Sequence, residues 1–487
     1  MTQQKIAQQK TFAVTTVGCK VNQADSEAIG EQMSAAGFAQ RDFSEDADVY
    51  IVNTCTVTHL GDRSSRNLIA QAHRYHPDAL LVVTGCYAEL NPQAVAALPG
   101  VDVVVDNSKK DGLVEAITQQ SGKNIAHEFV EQGQRVLPMF SSPTLDTQHI
   151  GSDNTLSAQE IEPQPDNPAR LAPFIAETST VDLANTRLAS RTRVQMKVQD
   201  GCDNRCTYCI VPTVRGGSRS RSIASVVEHV KRKVRAGYQE IVLTGIHLGD
   251  YHPGDDEQRD LGDLIATLLQ ETEVPRIRVS SLEPEDFRLK WLEHWQNPRM
   301  CRHLHLPMQS GSDTILRRMA RRYNSARYST IVSEAKQLIP GIAISTDIIT
   351  GFPGETEEDF EQSYQIAQTL EFAKSHVFRF SPRQGTAAAR MKGQIQDPIK
   401  KVRSERLLTL NEEHSRLFRQ QFLGATVEVL VEHPRHDKWE GLTDNYLRVE
   451  LHNPPTHIHQ HALVKARLLQ LVDDGILGEY VEQELGI

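Results

Sequence analysis

The feature that most limits what this chain can become is Cys202-x3-Cys206-x2-Cys209, in DGCDNRCTYC, set directly behind the run RVQMKV. In that run Val194, Met196 and Val198 alternate with polar side chains, the period of a half-buried strand. The three cysteines therefore occupy the loop at the strand's C-terminal end, the end that carries the chemistry in β/α barrels. Three thiolates hold three irons of a 4Fe–4S cluster and leave the fourth open. The competing reading is structural zinc, which takes four ligands, usually as paired CxxC. No fourth Cys or His stands nearby in sequence, so the spacing favours iron–sulfur.

A second trio is spread along the chain. Cys19, Cys55 and Cys86 each stand just past a short apolar run: FAVTTVGC, VYIVNTC and LLVVTGC. Helix-like stretches follow these runs, for example residues 25–36 with Gly37 as a stop, and VDVVVDN reads as a fourth strand. This alternation predicts a parallel α/β sheet. A parallel sheet lines up its C-terminal strand ends along one edge, where ligands bind. The three cysteines would converge there and hold a second cluster, again with one position open. The plainer alternative is three separately buried thiols. Cys301, the last of seven cysteines, reads as a packed thiol.

Six strands are expected between residues 193 and 380, at 193–198, 240–245, 276–281, 302–306, 343–349 and 374–380. Helical patterns separate them. One puts Ile223, Val226, Val227 and Val230 on a single face, and another opens on Thr356-Glu-Glu-Asp359 in the manner of a capping box. Six units predict a partial (β/α)6 barrel rather than the closed eight. From about Gln421 the texture changes to strict alternation at 426–432, with further strands at 446–451 and 463–471 and a turn at GLTDN. That predicts a small all-β module. The division is 1–130 for the first α/β domain, 131–187 for a linker, 188–420 for the partial barrel and 421–487 for the β module.

Residues 141–185 carry seven acids and five prolines against one base, Arg170. This composition marks an acidic linker or insertion. It accounts for most of the net charge of −10, which speaks against general affinity for nucleic acid but not against a local basic face. The polar N-terminus MTQQKIAQQK lacks the apolar run of a signal peptide, and no apolar stretch reaches spanning length. A cytoplasmic protein without membrane attachment is expected, and reducing conditions there disfavour disulfides.

With GCKVNQ, NTCTVT, TGCYAE, GCDNRCTYCIVPTVRGGSRSR, LTGIHLGDY, LHLPMQSGSD and DIITGFPGETEEDF in this order, the chain closely resembles the radical S-adenosylmethionine (SAM) methylthiotransferases. The match covers nearly everything but the acidic linker. The terminal module resembles their RNA-binding TRAM domain. GCKVN resembles the branch that modifies threonylcarbamoyladenosine beside the anticodon of tRNA. Sibling branches act on isopentenyladenosine or on a ribosomal-protein aspartate, and a non-catalytic zinc-stabilised RNA-binding protein is the reading from another class.

The resemblance implies a division of labour between two 4Fe–4S clusters. The one on Cys202, Cys206 and Cys209 would bind SAM and cleave it to a 5′-deoxyadenosyl radical, which takes hydrogen from carbon 2 of the adenine. The one on Cys19, Cys55 and Cys86 would present sulfur, and a second SAM would supply the methyl group. An electron donor and a sulfur source are implied as partners, beside the tRNA anticodon stem-loop. By similarity Tyr208, Thr244, Gly245, Gln309, Ser310 and Asp347 are expected to contact SAM, with the GFPGE turn at 351–355 either binding or simply turning the chain. Arg215, Arg219 and Arg221 are expected at an RNA-facing rim. Arg317, Arg318, Arg321 and Arg322 read as a solvated helix face, and His457, His459 and His461 as an exposed loop.

Overall fold

Uninterrupted apolar runs belong to strands covered on both faces, and the first third of the chain obeys this. In the computed structural model, which describes residues 9–120, 192–254, 258–432, 434, 438–455 and 458–482, five strands form one parallel sheet. They are β1 (Thr11–Thr16), β2 (Ala39–Gln40), β3 (Val49–Thr54), β4 (Leu80–Gly85) and β5 (Val103–Val105), in the order β2-β1-β3-β4-β5. Every residue of β3 and β4 is buried. Ile29 and Met33 pack with Ile51 and Val82 on one face, and Ile69 and Ala72 with Val52 and Val83 on the other. The register sets Thr16 beside Asn53 and Asn53 beside Thr84. Each is followed within three residues by a cysteine.

The acidic segment at 131–187 lies outside the described residues. Beyond it come β6 (Val194–Lys197), β7 (Gln199–Asp200), β8 (Arg219–Ser220), β9 (Glu240–Thr244), β10 (Arg276–Val279), β11 (His303–His305), β12 (Ala343–Thr350) and β13 (Lys374–Arg379). Two parallel sheets, β6-β9-β10 and β11-β12-β13, are joined by parallel bridges from Ile277 to Met300 and from Ser281 to His305. All six expected strands are present in one open arc. Helix Lys20–Ala35 packs against β6 at one end of the arc, and helix Asp397–Gln420 against β13 at the other.

The last module is a closed five-stranded barrel: β14 (Thr426–Val431), β15 (Glu440–Leu442), β16 (Arg448–His452), β17 (Leu463–Val472) and β18 (Gly475–Val481), in the order β14-β15-β16-β18-β17. Three strands match expectation. β15 begins where a turn was expected, and β2 and β18 were not foreseen. This barrel docks on the N-terminal ends of the arc's strands. Arg278 donates to the carbonyls of Asp444 (2.7 Å) and Thr443 (3.2 Å), and Arg302 pairs with Asp444 at 2.6 Å. Fully buried Glu240 neutralises Arg278 at 2.7 Å, as a buried charge requires. Tyr446, at φ +62°, sits with its ring centroid 3.8 Å from the Arg278 guanidinium and 4.5 Å from the His303 ring. Among the described residues no helix is long and apolar enough to cross a membrane.

Candidate active site

β7 and β8 pair antiparallel at the base of the loop that holds Cys202, Cys206 and Cys209. The loop is also pinned by Cys202 N–H to Gly216 O (3.1 Å), Thr207 N–H to Met319 O (3.1 Å) and Ala388 N–H to Thr207 O (2.8 Å). Gln199 ties it to the next strand's end, donating to Gly201 O at 2.8 Å and accepting from His247 N–H at 2.7 Å. Cations stand against the sulfurs. Arg321 Nη1 is 3.3 Å from Cys206 Sγ, and His247 Nδ1 is 3.6 Å from Cys202 Sγ. Burial alone would lower the His247 pKa, but its 2.6 Å bond to Asp286 and the Cys202 sulfur lift it to about 10. Burial pushes the Cys209 thiol up to about 12.

The second trio assembles as the strand register demands. Cys19 precedes helix Lys20–Ala35, Cys55 follows β3, and Cys86 opens the short helix Cys86–Leu90. Cys55 is pushed up to about 11, first by burial and then, against a Val57 N–H, by Cys86 and Cys19; the three sulfurs thus feel one another. Gly18, at φ +106°, lies against Cys55: a Cβ there would stand 2.8 Å from Cys55 Cβ and 2.9 Å from its Sγ. Cys86 packs with Ile210 and Val214, so this trio abuts the residue that follows Cys209. All six cysteines line one cavity of about 1290 Å³. That exceeds the roughly 300–1,000 Å³ of an ordinary small-molecule site.

Both donor sets fit iron–sulfur clusters. Each offers thiolates only, and among the described residues no three His, Cys, Asp or Glu side chains close on a single metal ion, whereas a cluster takes each thiolate on a different iron. Metal binding deprotonates thiols that burial otherwise keeps neutral. Arg215 faces Cys19 and Cys86, and Arg321 faces Cys206, which suits an anionic cluster.

Tyr208, Thr244, Gly245, Gln309 and Asp347 line the cavity. Ser310 does not: it is buried, its hydroxyl 3.3 Å from that of Ser363. The 351–355 turn also stays away from the cavity. Its Gly351 N–H binds Glu355 (2.7 Å), which pairs with Arg403 at 2.6 Å. It is turn chemistry anchored on helix Asp397–Gln420.

The expected RNA rim is corrected. Arg215 is buried between Asp200 (2.8 Å) and Asp25 (3.1 Å), and the latter also binds Lys110 at 2.9 Å and Lys197. Arg221 is buried and donates to Ser225 Oγ at 2.8 Å, while Arg219 is half-buried, 3.5 Å from Asp200. Arg215 holds the first sheet against the arc, as does Arg383 on Asp62 at 2.9 Å, whereas Arg219 and Arg221 bond within the arc. Arg321 is no solvated group either: it is buried with Glu283 and, at 3.2 Å, Glu285. His457 lies outside the described residues; His459 is exposed and His461 meets the Tyr238 ring edge-to-face, centroids 5.7 Å apart. Cys301 is buried away from the cavity, as expected. His247 and Arg321 were missed as site residues, although both sit beside motifs that were singled out.

Residues 11–106 match the model described as uncharacterized protein family UPF0004, and residues 196–367 that of the radical SAM superfamily. The threonylcarbamoyladenosine tRNA methylthiotransferase MtaB of Bacillus subtilis is 35% identical, covering 98% of each chain. The chain belongs to the radical SAM methylthiotransferases. Within this family MtaB of Thermotoga maritima is 34% identical over 87% of each chain. The tRNA-2-methylthio-N(6)-dimethylallyladenosine synthase of Akkermansia muciniphila is 32% identical over 86% of this methylthiotransferase and 88% of the relative. The radical SAM methyltransferase TsrM of Kitasatospora setae shares the fold, with a TM-score of 0.51 at 16% identity over 78% of this chain and 74% of that one. Radical SAM methylthiotransferases work with SAM and 4Fe–4S clusters.

Proposed function

We propose that this chain methylthiolates carbon 2 of N6-threonylcarbamoyladenosine next to the anticodon of tRNA, in the cytoplasm. The observation that carries the reading is the single cavity lined by both cysteine trios, in a chain whose relatives named for this reaction match it from end to end. Cys202, Cys206 and Cys209 hold one cluster, and Cys19, Cys55 and Cys86 the other. When bound, the clusters and SAM supply the radical that activates carbon 2, the sulfur and the methyl group. The protein's part is to aim and enclose. Tyr208, Thr244, Gly245, Gln309 and Asp347 line the space for SAM, and Arg321 and His247 place positive charge against the Cys206 and Cys202 sulfurs. Arg215 does the same for the other trio while locking the first sheet onto the arc. The domain division into 1–130, 131–187, 188–420 and 421–487 follows from this assignment, with an electron donor and a sulfur source as further partners.

The test is mass spectrometry of tRNA nucleosides from cells lacking the protein and from the same cells with it restored. Loss and recovery of 2-methylthio-N6-threonylcarbamoyladenosine is the expected result. Loss of the methylthiolated isopentenyl nucleoside instead would move the protein to the sibling branch, and no change in either would overturn a tRNA target.

A further inference from the structure

Lys20 follows Cys19 directly, at the start of helix Lys20–Ala35, and is half-buried on the cavity wall. Its ammonium makes no hydrogen bond or ion pair with any described residue. The carboxylates on the walls near the cysteines are otherwise engaged: Asp347 with His305 at 3.1 Å, and Glu283 with Arg321. Lys20 points its charge at the lumen. Burial first, and then Arg278 and Lys20, hold His303 well below its ordinary pKa; at His376 Lys20 acts in the same direction, behind burial. The histidines thus remain neutral, and beside them the wall carries the ammonium groups of Lys20 and Lys374 with the Asp347 carboxylate, in a partly enclosed space where charges act far more strongly than in water. On the same lining, Ser280 Oγ and His303 Nδ1 are buried without a partner among the described residues.

A cation and spare hydrogen-bonding groups suit an anionic polar substituent and not a hydrocarbon one. Threonylcarbamoyladenosine has such a group on N6: a urea ending in a threonine α-carboxylate, ionised above pH ~4. An isopentenyl group has neither charge nor donors. Carbon 2 and carbon 6, which bears N6, flank the same ring nitrogen of adenine. A base whose carbon 2 is set against the cluster of the Cys19 trio therefore brings its N6 substituent within reach of a side chain beside Cys19. We infer that Lys20 is a specificity-determining residue, whose ammonium binds the threonyl carboxylate of the substrate base. The inference rests on the proposed reaction and adds what makes the site choose its nucleoside.

The experiment compares anaerobic holoenzyme with Lys20, Lys20→Arg and Lys20→Gln, each checked for iron content. The probes are anticodon stem-loop RNAs bearing threonylcarbamoyladenosine or its neutral methyl ester, followed by binding anisotropy and by KM against kcat. Wild type should prefer the acid by about tenfold or more in KM. Lys20→Gln should erase that preference by weakening the acid alone, and Lys20→Arg should keep part of it. No preference for the acid in wild type overturns the inference without any variant. So does a preference that survives in Lys20→Gln, or an equal loss for acid and ester, which would make Lys20 a phosphate contact or a structural group. If wild type methylthiolates neither RNA, the proposed reaction falls and Lys20's role with it; if it methylthiolates the acid, only Lys20 is at stake.

Discussion

The two cysteine trios reach the same cavity by opposite routes. Cys202, Cys206 and Cys209 lie within one loop, tied at its base by β7 and β8. Cys19, Cys55 and Cys86 come from three strand ends and meet only because β1, β3 and β4 pair in one register. The local trio is spaced by one loop, which remote residues such as Met319 and Ala388 then pin, whereas the distributed trio exists only through the pairing of a whole sheet and what clamps it.

The largest effects come from removing a ligand. Cys206→Ala should abolish reductive SAM cleavage, read as 5′-deoxyadenosine. Cys55→Ala should stop methylthio product while cleavage continues. Methylthiolation surviving in Cys206→Ala would overturn the assignment of the catalytic cluster to Cys202, Cys206 and Cys209. Gly18→Ala separates them without touching a sulfur. Its Cβ would crowd Cys55 at a backbone φ that only glycine adopts readily. Iron content should fall by about half, one of two clusters, with SAM cleavage kept; full iron content would show that the distributed trio adapts.

The clamp comes next. Arg215→Gln leaves Asp25 and Asp200 short of a buried partner, a loss of about 3–5 kcal/mol, to be read from denaturant unfolding. A change under 1 kcal/mol would mean that Lys110 and Lys197 suffice. The smallest effect is in pH. Burial would raise the Asp25 carboxyl, but Lys110, Lys197 and Arg215 hold it well below the usual range. A depressed pKa contributes stability that is complete above the unfolded value of about 3.9 and is lost as pH falls through the folded value. The stability gap between wild type and Asp25→Asn should therefore stay constant from neutral pH to about 5 and narrow below about 4; a gap independent of pH would assign the clamp to packing alone.

The same contrast explains what could be read from the sequence. The local trio is visible as spacing, and the distributed one as a repeated strand-then-cysteine pattern. All six strands of the arc are strand-length segments between helical patterns. What escaped reading depends on partners remote in the chain. Arg215 and Arg321 are basic residues beside a catalytic motif, and nothing local says that Asp25 or Glu283 will bury them. β15 and β18 were missed because glycine weakens strand signals. A Cβ on Gly441 would lie 2.4 Å from Leu430 O, and one on Gly478 2.6 Å from Val449 Cγ1. Their glycines are where the small barrel closes tightest.

The clamp on Asp25 also has an order in time. Asp25 and Lys110 leave the ribosome long before Lys197 and Arg215, and domains fold from the N-terminal end as they are made. The first sheet can therefore gather Cys19, Cys55 and Cys86 while Asp25 has Lys110 alone. The remaining two cations arrive on β6 and on the segment just behind Cys209. Synthesis through Cys202, Cys206 and Cys209 thus also delivers Lys197 and Arg215, the cations that fasten the sheet bearing Cys19, Cys55 and Cys86.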